Sequence, residues 1–136
     1  MKIIVCIDDD GGMMFNNRRQ SRDRVVIEDV MKMSEGKTLY INEYSKPLFS
    51  DFEGRYTVAP DMLDMAGDGD FCFVENKRLY GYIDMIDEIT VYRWNRRYPS
   101  DFKLDIDVGA NGFRLKDASE FAGYSHEKIS KEIFGR

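Results

Sequence analysis

Six residues, Lys2-Ile3-Ile4-Val5-Cys6-Ile7, form a short apolar run that empties directly into Asp8-Asp9-Asp10-Gly11-Gly12. A β-branched run of that length, with carboxylates hard on its end, is the pattern of a strand buried on both faces. Open α/β sheets hold their ligands beyond the carboxyl ends of such strands. The first acidic corner of the chain is therefore its first candidate site, and the expected class is α/β.

The rest of the pattern adds strands faster than helices. Asp8 to Asn17 reads as a loop, with Asn16-Asn17 as a turn. Ser21 or Asp23 is placed to cap a helix carrying Val25, Val26, Asp29, Val30 and Met33, which Gly36 ends. Lys37 to Tyr44, Tyr56 to Ala59, Phe71 to Val74 and Glu88 to Trp94 read as strands, with one or two helical turns at Asp61 to Ala66. Phe102 to Val108 and Gly112 to Leu115 are further strand candidates. Ser125 is placed to cap a final helix with Ile129, Ile133 and Phe134 on its apolar face. This order predicts a mixed sheet of five to seven strands flanked by two or three helices.

With 136 residues, 43% of them hydrophobic, the chain suits one domain over 1–136. Twenty Lys and Arg against 25 Asp and Glu give a formal net charge of -5, which disfavours general affinity for RNA or anionic membranes. No apolar stretch approaches the roughly 20 residues of a membrane span, and the first run is too short for a leader, so a cytoplasmic location is expected. Cys6 and Cys72 then read as two reduced, buried thiols. An unprotected edge strand leaves a homo-oligomer open.

Asp8 and Asp10 are candidate catalytic carboxylates and candidate Mg²⁺ ligands, since such a site needs only one or two carboxylates plus water and phosphate. Asp8-Asp9-Asp10-Gly11 resembles the first motif of haloacid-dehalogenase-type phosphatases, and Gly67-Asp68-Gly69-Asp70 resembles their distal metal motif. That resemblance implies a Mg²⁺-dependent phosphoester hydrolase in which Asp68 joins Asp8 and Asp10 at the metal. Arg18, beside Arg19, Arg22 and Arg24, is placed to clamp phosphate or carboxylate near the glycine-rich loop.

Tyr92-Arg93-Trp94-Asn95-Arg96-Arg97-Tyr98-Pro99 is the least generic segment. Strand alternation puts Tyr92 and Trp94 on one face and Arg93 on the other. If exposed, Arg93, Trp94, Arg96, Arg97 and Tyr98 would stack and clamp single-stranded RNA or anchor a partner protein. If buried, the rings close the sheet end. His126 is the sole histidine, in the first turn of the expected last helix. It reads as a surface or capping residue, with a triad and the histidine-rich metal sites excluded.

The stretches Ile3 to Asp10, Met13 to Arg18, Tyr92 to Asp101 and Gly123 to Ile129 together resemble a family of short bacterial proteins sometimes labelled ribonuclease Z. This chain lacks the His-x-His-x-Asp-His zinc motif of true ribonuclease Z. In element order, the first strand, the Gly-Met-Met-Phe-Asn-Asn loop, the helix with Asp23 and the late Asp87-Glu88-Ile89 strand resemble dihydrofolate reductase. That resemblance implies a loop closing over a ligand, and Asp23 or Glu28 in place of the folate-binding carboxylate. The Gly-Gly-rich nicotinamide-phosphate segment before the late strand is missing. Recognition-type residues outnumber any catalytic set, so the leading expectation is a binding or regulatory protein for an unknown small molecule or protein partner, enzymatic activity being left open. The hydrolase and the single-strand RNA module are its alternatives.

Overall fold

A computed structural model describes residues 1–136. The first apolar run is β1 (Lys2–Ile7), and it lies in the middle of a seven-stranded sheet. Its strands, in chain order, are β1, β4 (Leu39–Ile41), β5 (Thr57–Val58), β6 (Phe71–Phe73), β7 (Glu88–Arg93), β9 (Arg114–Phe121) and β10 (Ile129–Gly135). Across the sheet the order is β5-β4-β6-β1-β7-β10-β9. The five strands from β5 to β7 run parallel, and β10 and β9 add an antiparallel edge. A second, three-stranded sheet joins β2 (Gly12–Phe15) to β3 (Arg18–Arg19) and β8 (Phe102–Lys103). The helices are α1 (Arg24–Met33) and the single turn α2 (Met62–Met65), with 3-10 segments at Lys46–Phe52 and Tyr80–Met85. The mixed α/β sheet agrees with the expected class, and no helix is long and apolar enough to cross a membrane.

Side-chain alternation along β1 divides the core in two. Ile3, Val5 and Ile7 face a cluster with Cys72, Ile89 and Val91, whereas Ile4 faces the cluster beneath α1 with Phe73, Tyr92 and Trp94. Both faces are covered, which is why β1 reads as unbroken apolar sequence. Cys6 and Cys72 pack on opposite faces and remain free thiols. Burial holds the Cys72 thiol up at about 12.

Several local expectations change. The loop from Asp8 contains β2, and Asn16-Asn17 is its hairpin turn, both residues at positive φ as a primed turn requires. Phe102 to Val108 shrinks to a two-residue strand, and β9 runs on to Phe121. The final helix is instead β10, paired with both β7 and β9. Ile129 and Phe134 enter opposite core clusters, and with Ile133 their spacing imitates a helical stripe. A strand buried on two faces cannot be told from a helix by that spacing alone.

The 3-10 segment Lys46–Phe52 is anchored by Phe49, fully buried in edge-on contact with Phe73 at 5.2 Å between centroids. Phe49→Ala should therefore lower unfolding free energy by about 3–5 kcal/mol in urea titration, the cost of a large cavity that neighbours only partly fill.

Candidate functional site

Asp8 sits at the carboxyl end of β1 and is 1% exposed. Its Oδ1 accepts the amides of Asp10 and Gly12 at 2.9 and 2.7 Å. Its Oδ2 accepts the Gln20 side-chain amide at 3.1 Å and the Tyr98 amide at 3.0 Å. These four bonds use the four lone-pair directions of a carboxylate and leave none for a metal. Burial by itself raises the Asp8 pKa, but the amides of Tyr98, Gly12 and Asp10, with Gln20, outweigh it and hold the group below the ordinary aspartate value. Asp8 is thus the clasp between the loop after β1 and the loop after β7. Gly12 is required there by space, because a Cβ would lie 2.5 Å from Gln20 Nε2 and 2.7 Å from Ser100 Cβ.

Asp10 is exposed and pairs with Arg97 at 3.0 Å. Asp68 is not brought to them. It precedes β6, whose Phe71 pairs with Lys2 at the amino end of β1. That places it across the sheet from Asp8, roughly 20 Å away by the length of a six-residue strand. No three His, Cys, Asp or Glu side chains gather as a metal site. The structure therefore does not bring Asp68 to Asp8 and Asp10, the three residues expected together at a magnesium centre.

The aromatic-arginine segment is also rearranged. Trp94 is 4% exposed, so it neither stacks a base nor anchors a partner. It lies against the His126 ring, with centroids 4.7 Å apart and planes 21° apart. Arg93 pairs with Glu132 across β7 and β10, Arg97 with Asp10, and Arg18 and Arg96 stay exposed. Tyr98 is half-buried, its amide on Asp8 and its hydroxyl 3.3 Å from His126 Nε2.

A second buried carboxylate organises the other side of this corner. Asp23 caps α1, accepting the Val25 amide at 2.9 Å. The same carboxylate accepts the amides of Tyr124 and Ser125, each at 2.9 Å, and faces His126 Nδ1 at 2.8 Å. Burial raises its pKa, but His126 and the amides of Tyr124, Ser125 and Val25 overcome that and hold it well below the ordinary value. Since an ionised carboxylate only accepts, the His126 proton belongs on Nδ1. Nε2 then offers its lone pair to Ser21 Oγ at 2.9 Å and, farther off, to the Tyr98 hydroxyl. The exclusion of a triad is corrected here, since one histidine is enough and the chain brings a serine and an aspartate to its two nitrogens.

Between α1 and the sheet, a narrow recess is lined by Cys6, Met13, Ser21, Asp23, Val26, Ile27, Leu48, Phe73 and Trp94, among others. Its floor carries the Arg19 and Glu75 ion pair at 2.9 Å, and Ser45 Oγ donates to the same carboxylate at 2.7 Å. Burial works against the Arg19 charge, and Glu75 more than restores it, raising the guanidinium pKa. Past Ile27 and Leu48 the recess meets a groove of about 330 Å³ bordered by Arg22, Arg24, Phe52 and Tyr124. Sequence reasoning noticed Asp23 through its capping position. It named Arg19 as a candidate clamp and Ser21 as a candidate cap but missed Glu75 and the pairings Arg19–Glu75 and Ser21–His126, which span 56 and 105 residues.

Both depressed aspartates titrate lower in the folded chain than in the unfolded one. Their contribution is therefore complete above the ordinary value of about 3.9 and is lost as pH falls below it. The urea midpoint should drop steeply from about pH 4 to about pH 2, and Asp8→Asn should flatten that slope. At Gly123, a Cβ would lie 2.5 Å from Asp23 Oδ2 and 2.8 Å from Ile129 Cδ1. Gly123→Ala should cost about 1–3 kcal/mol in the same measurement through overpacking.

No family model matches the sequence and no curated protein matches it, so the resemblance to the short proteins labelled ribonuclease Z gains no support. Among solved structures, the chain is similar to dihydrofolate reductase from Enterococcus faecalis complexed with NADP(H) and RAB-propyl. The TM-score is 0.68 at 10% identity, over 99% of this chain and 95% of that one. At that identity the likeness is one of fold, and the architecture of this chain is that of dihydrofolate reductase.

Proposed function

We propose that this chain is a small-molecule binding protein whose ligand is an amphipathic organic anion seated between α1 and the 3-10 segment Lys46–Phe52. The observation that carries this reading is the recess and its groove. Apolar walls from Ile27, Leu48, Phe52 and Tyr124 stand beside Arg22, which is exposed and makes no ion pair in a chain of net charge -5. Ligand sites are commonly concave and mostly apolar, with a few placed polar groups, and lie beyond the carboxyl ends of parallel strands. The neighbour's ligands give the fold precedent for a small molecule here.

The nicotinamide cofactor named with that neighbour does not fit this chain. The resemblance calls for a Gly-Gly segment before the late strand, and the stretch that leaves β6 reads Val74-Glu75-Asn76 instead. A dinucleotide phosphate needs close approach to the backbone. Here the Glu75 carboxylate stands instead, fixed by Arg19 and Ser45, and Asn76 accepts from the Asn42 side chain at 2.7 Å. A second negative charge would have to displace that network, so no hydride step is assigned.

The test uses 1-anilinonaphthalene-8-sulfonate, an aromatic anion, with energy transfer from Trp94 and amide NMR as readouts. Saturable binding with shifts confined to residues 21–27, 48–52 and 124–125 is expected. Arg22→Glu should weaken it about tenfold, the loss of one charge-assisted contact. Shifts scattered over the surface, or none near Arg22, would overturn the proposal.

A further inference from the structure

We propose that Ser21 is the nucleophile of an acyl-transfer site for short-chain carboxylic esters, with His126 as its general base and Asp23 as the group that holds the imidazole. It rests on the same cleft as the binding reading and adds chemistry to it. The connectivity is that of a serine-histidine-aspartate relay. Ser21 Oγ is 2.9 Å from His126 Nε2, and His126 Nδ1 is 2.8 Å from Asp23 Oδ2. Such sites are recognised by geometry and roles rather than by chain order or fold.

Several features separate this arrangement from an incidental hydrogen-bond chain. Asp23 is buried and accepts three backbone amides, so its position is fixed before His126 is added. The His126 ring is clamped in plane by Trp94, which also shields one face from water. Ser21 lies half-buried on the wall of the recess rather than inside the core. The amides of Ser21 and Arg22, in the link between β3 and α1, donate no hydrogen bond to the protein and are available to a developing oxyanion. Tyr98 OH, at 3.3 Å, lies farther from Nε2 than Ser21 Oγ at 2.9 Å, so Ser21 is the nearer hydroxyl to the base.

The step balances without a further reactant. As Oγ bonds to the ester carbonyl carbon, His126 Nε2 takes the Oγ proton and the carbonyl π pair moves to oxygen. Collapse expels the alkoxide, which leaves as alcohol with that proton. Water then repeats the sequence on the acyl-serine and releases the acid and free Ser21. Space sets the acyl group, since the recess holds a void of only about 20 Å³. That is room for about one water, so only the shortest acyl group can enter, and then only as side chains of the recess give way, while the alcohol portion extends past Ile27 and Leu48 into the groove.

The test treats the full chain with a fluorophosphonate and, separately, with p-nitrophenyl acetate and p-nitrophenyl octanoate. One adduct mapping to Ser21 is expected, absent in Ser21→Ala, with acetate released faster than octanoate. His126→Gln should slow labelling at least about 100-fold, the scale of a lost general base. Where that variant does not fold, the Ser21 map in the wild type and its loss in Ser21→Ala decide. A folded wild type unlabelled at Ser21, or a folded His126→Gln labelled equally fast, overturns the inference. Localised anilinonaphthalene sulfonate binding with no Ser21 adduct removes this inference alone, and loss of both removes the binding reading too.

Discussion

The arrangement of this corner depends on one carboxylate. Asp23 begins α1 by capping its first turn, and the same two oxygens gather the backbone of Tyr124 and Ser125 and the ring of His126. A helix start leaves backbone donors unsatisfied, and an ionised carboxylate is the strongest acceptor a chain can place there. Here that local need is joined to a contact 103 residues away. The helix, the approach to β10 and the tautomer of the histidine are set together. Gly123 follows from the same constraint, since the chain must pass closer to Asp23 than a side chain permits.

Two features that look separate along the chain are one place in space. The acidic end of β1 and the aromatic-arginine segment after β7 are held together by Asp8 accepting the Tyr98 amide and by Arg97 on Asp10. β1 and β7 are parallel neighbours, so their carboxyl ends must meet. Charge that suggested a metal centre is absorbed in closing loops, and rings that suggested exposed recognition shield a histidine. What remains open to a ligand is the side of the corner that the sequence marks least.

Legibility followed the range of the interactions. β1, α1, β7, the Asn16-Asn17 turn and the Asp23 cap were readable because apolar runs, helical spacing and turn chemistry are local. β10 was not, because its apolar residues divide between two faces and copy a helix. The role of Asp8 was half legible: its position at a strand end was clear, but its four partners come from residues 10, 12, 20 and 98. Ser21 and His126 carry no mutual signal in sequence at all. Glu75 gave no local signal either, since its carboxylate is engaged inside the fold by Arg19, 56 residues away, and by Ser45.

The central position of β1 also sets a timetable. β1 is flanked by β6 and β7, which begin at residues 71 and 88, and β10 follows both. Pairings of such sequence separation are slow to form and leave apolar edges uncovered meanwhile. During synthesis Ile3, Ile4 and Val5 emerge long before any neighbouring strand exists to cover them. Until β6 and β7 exist β1 has no partner, so the most apolar segment of the sheet waits on contacts of long sequence separation, and its exposure during folding is written into the strand order rather than into any surface of the finished molecule.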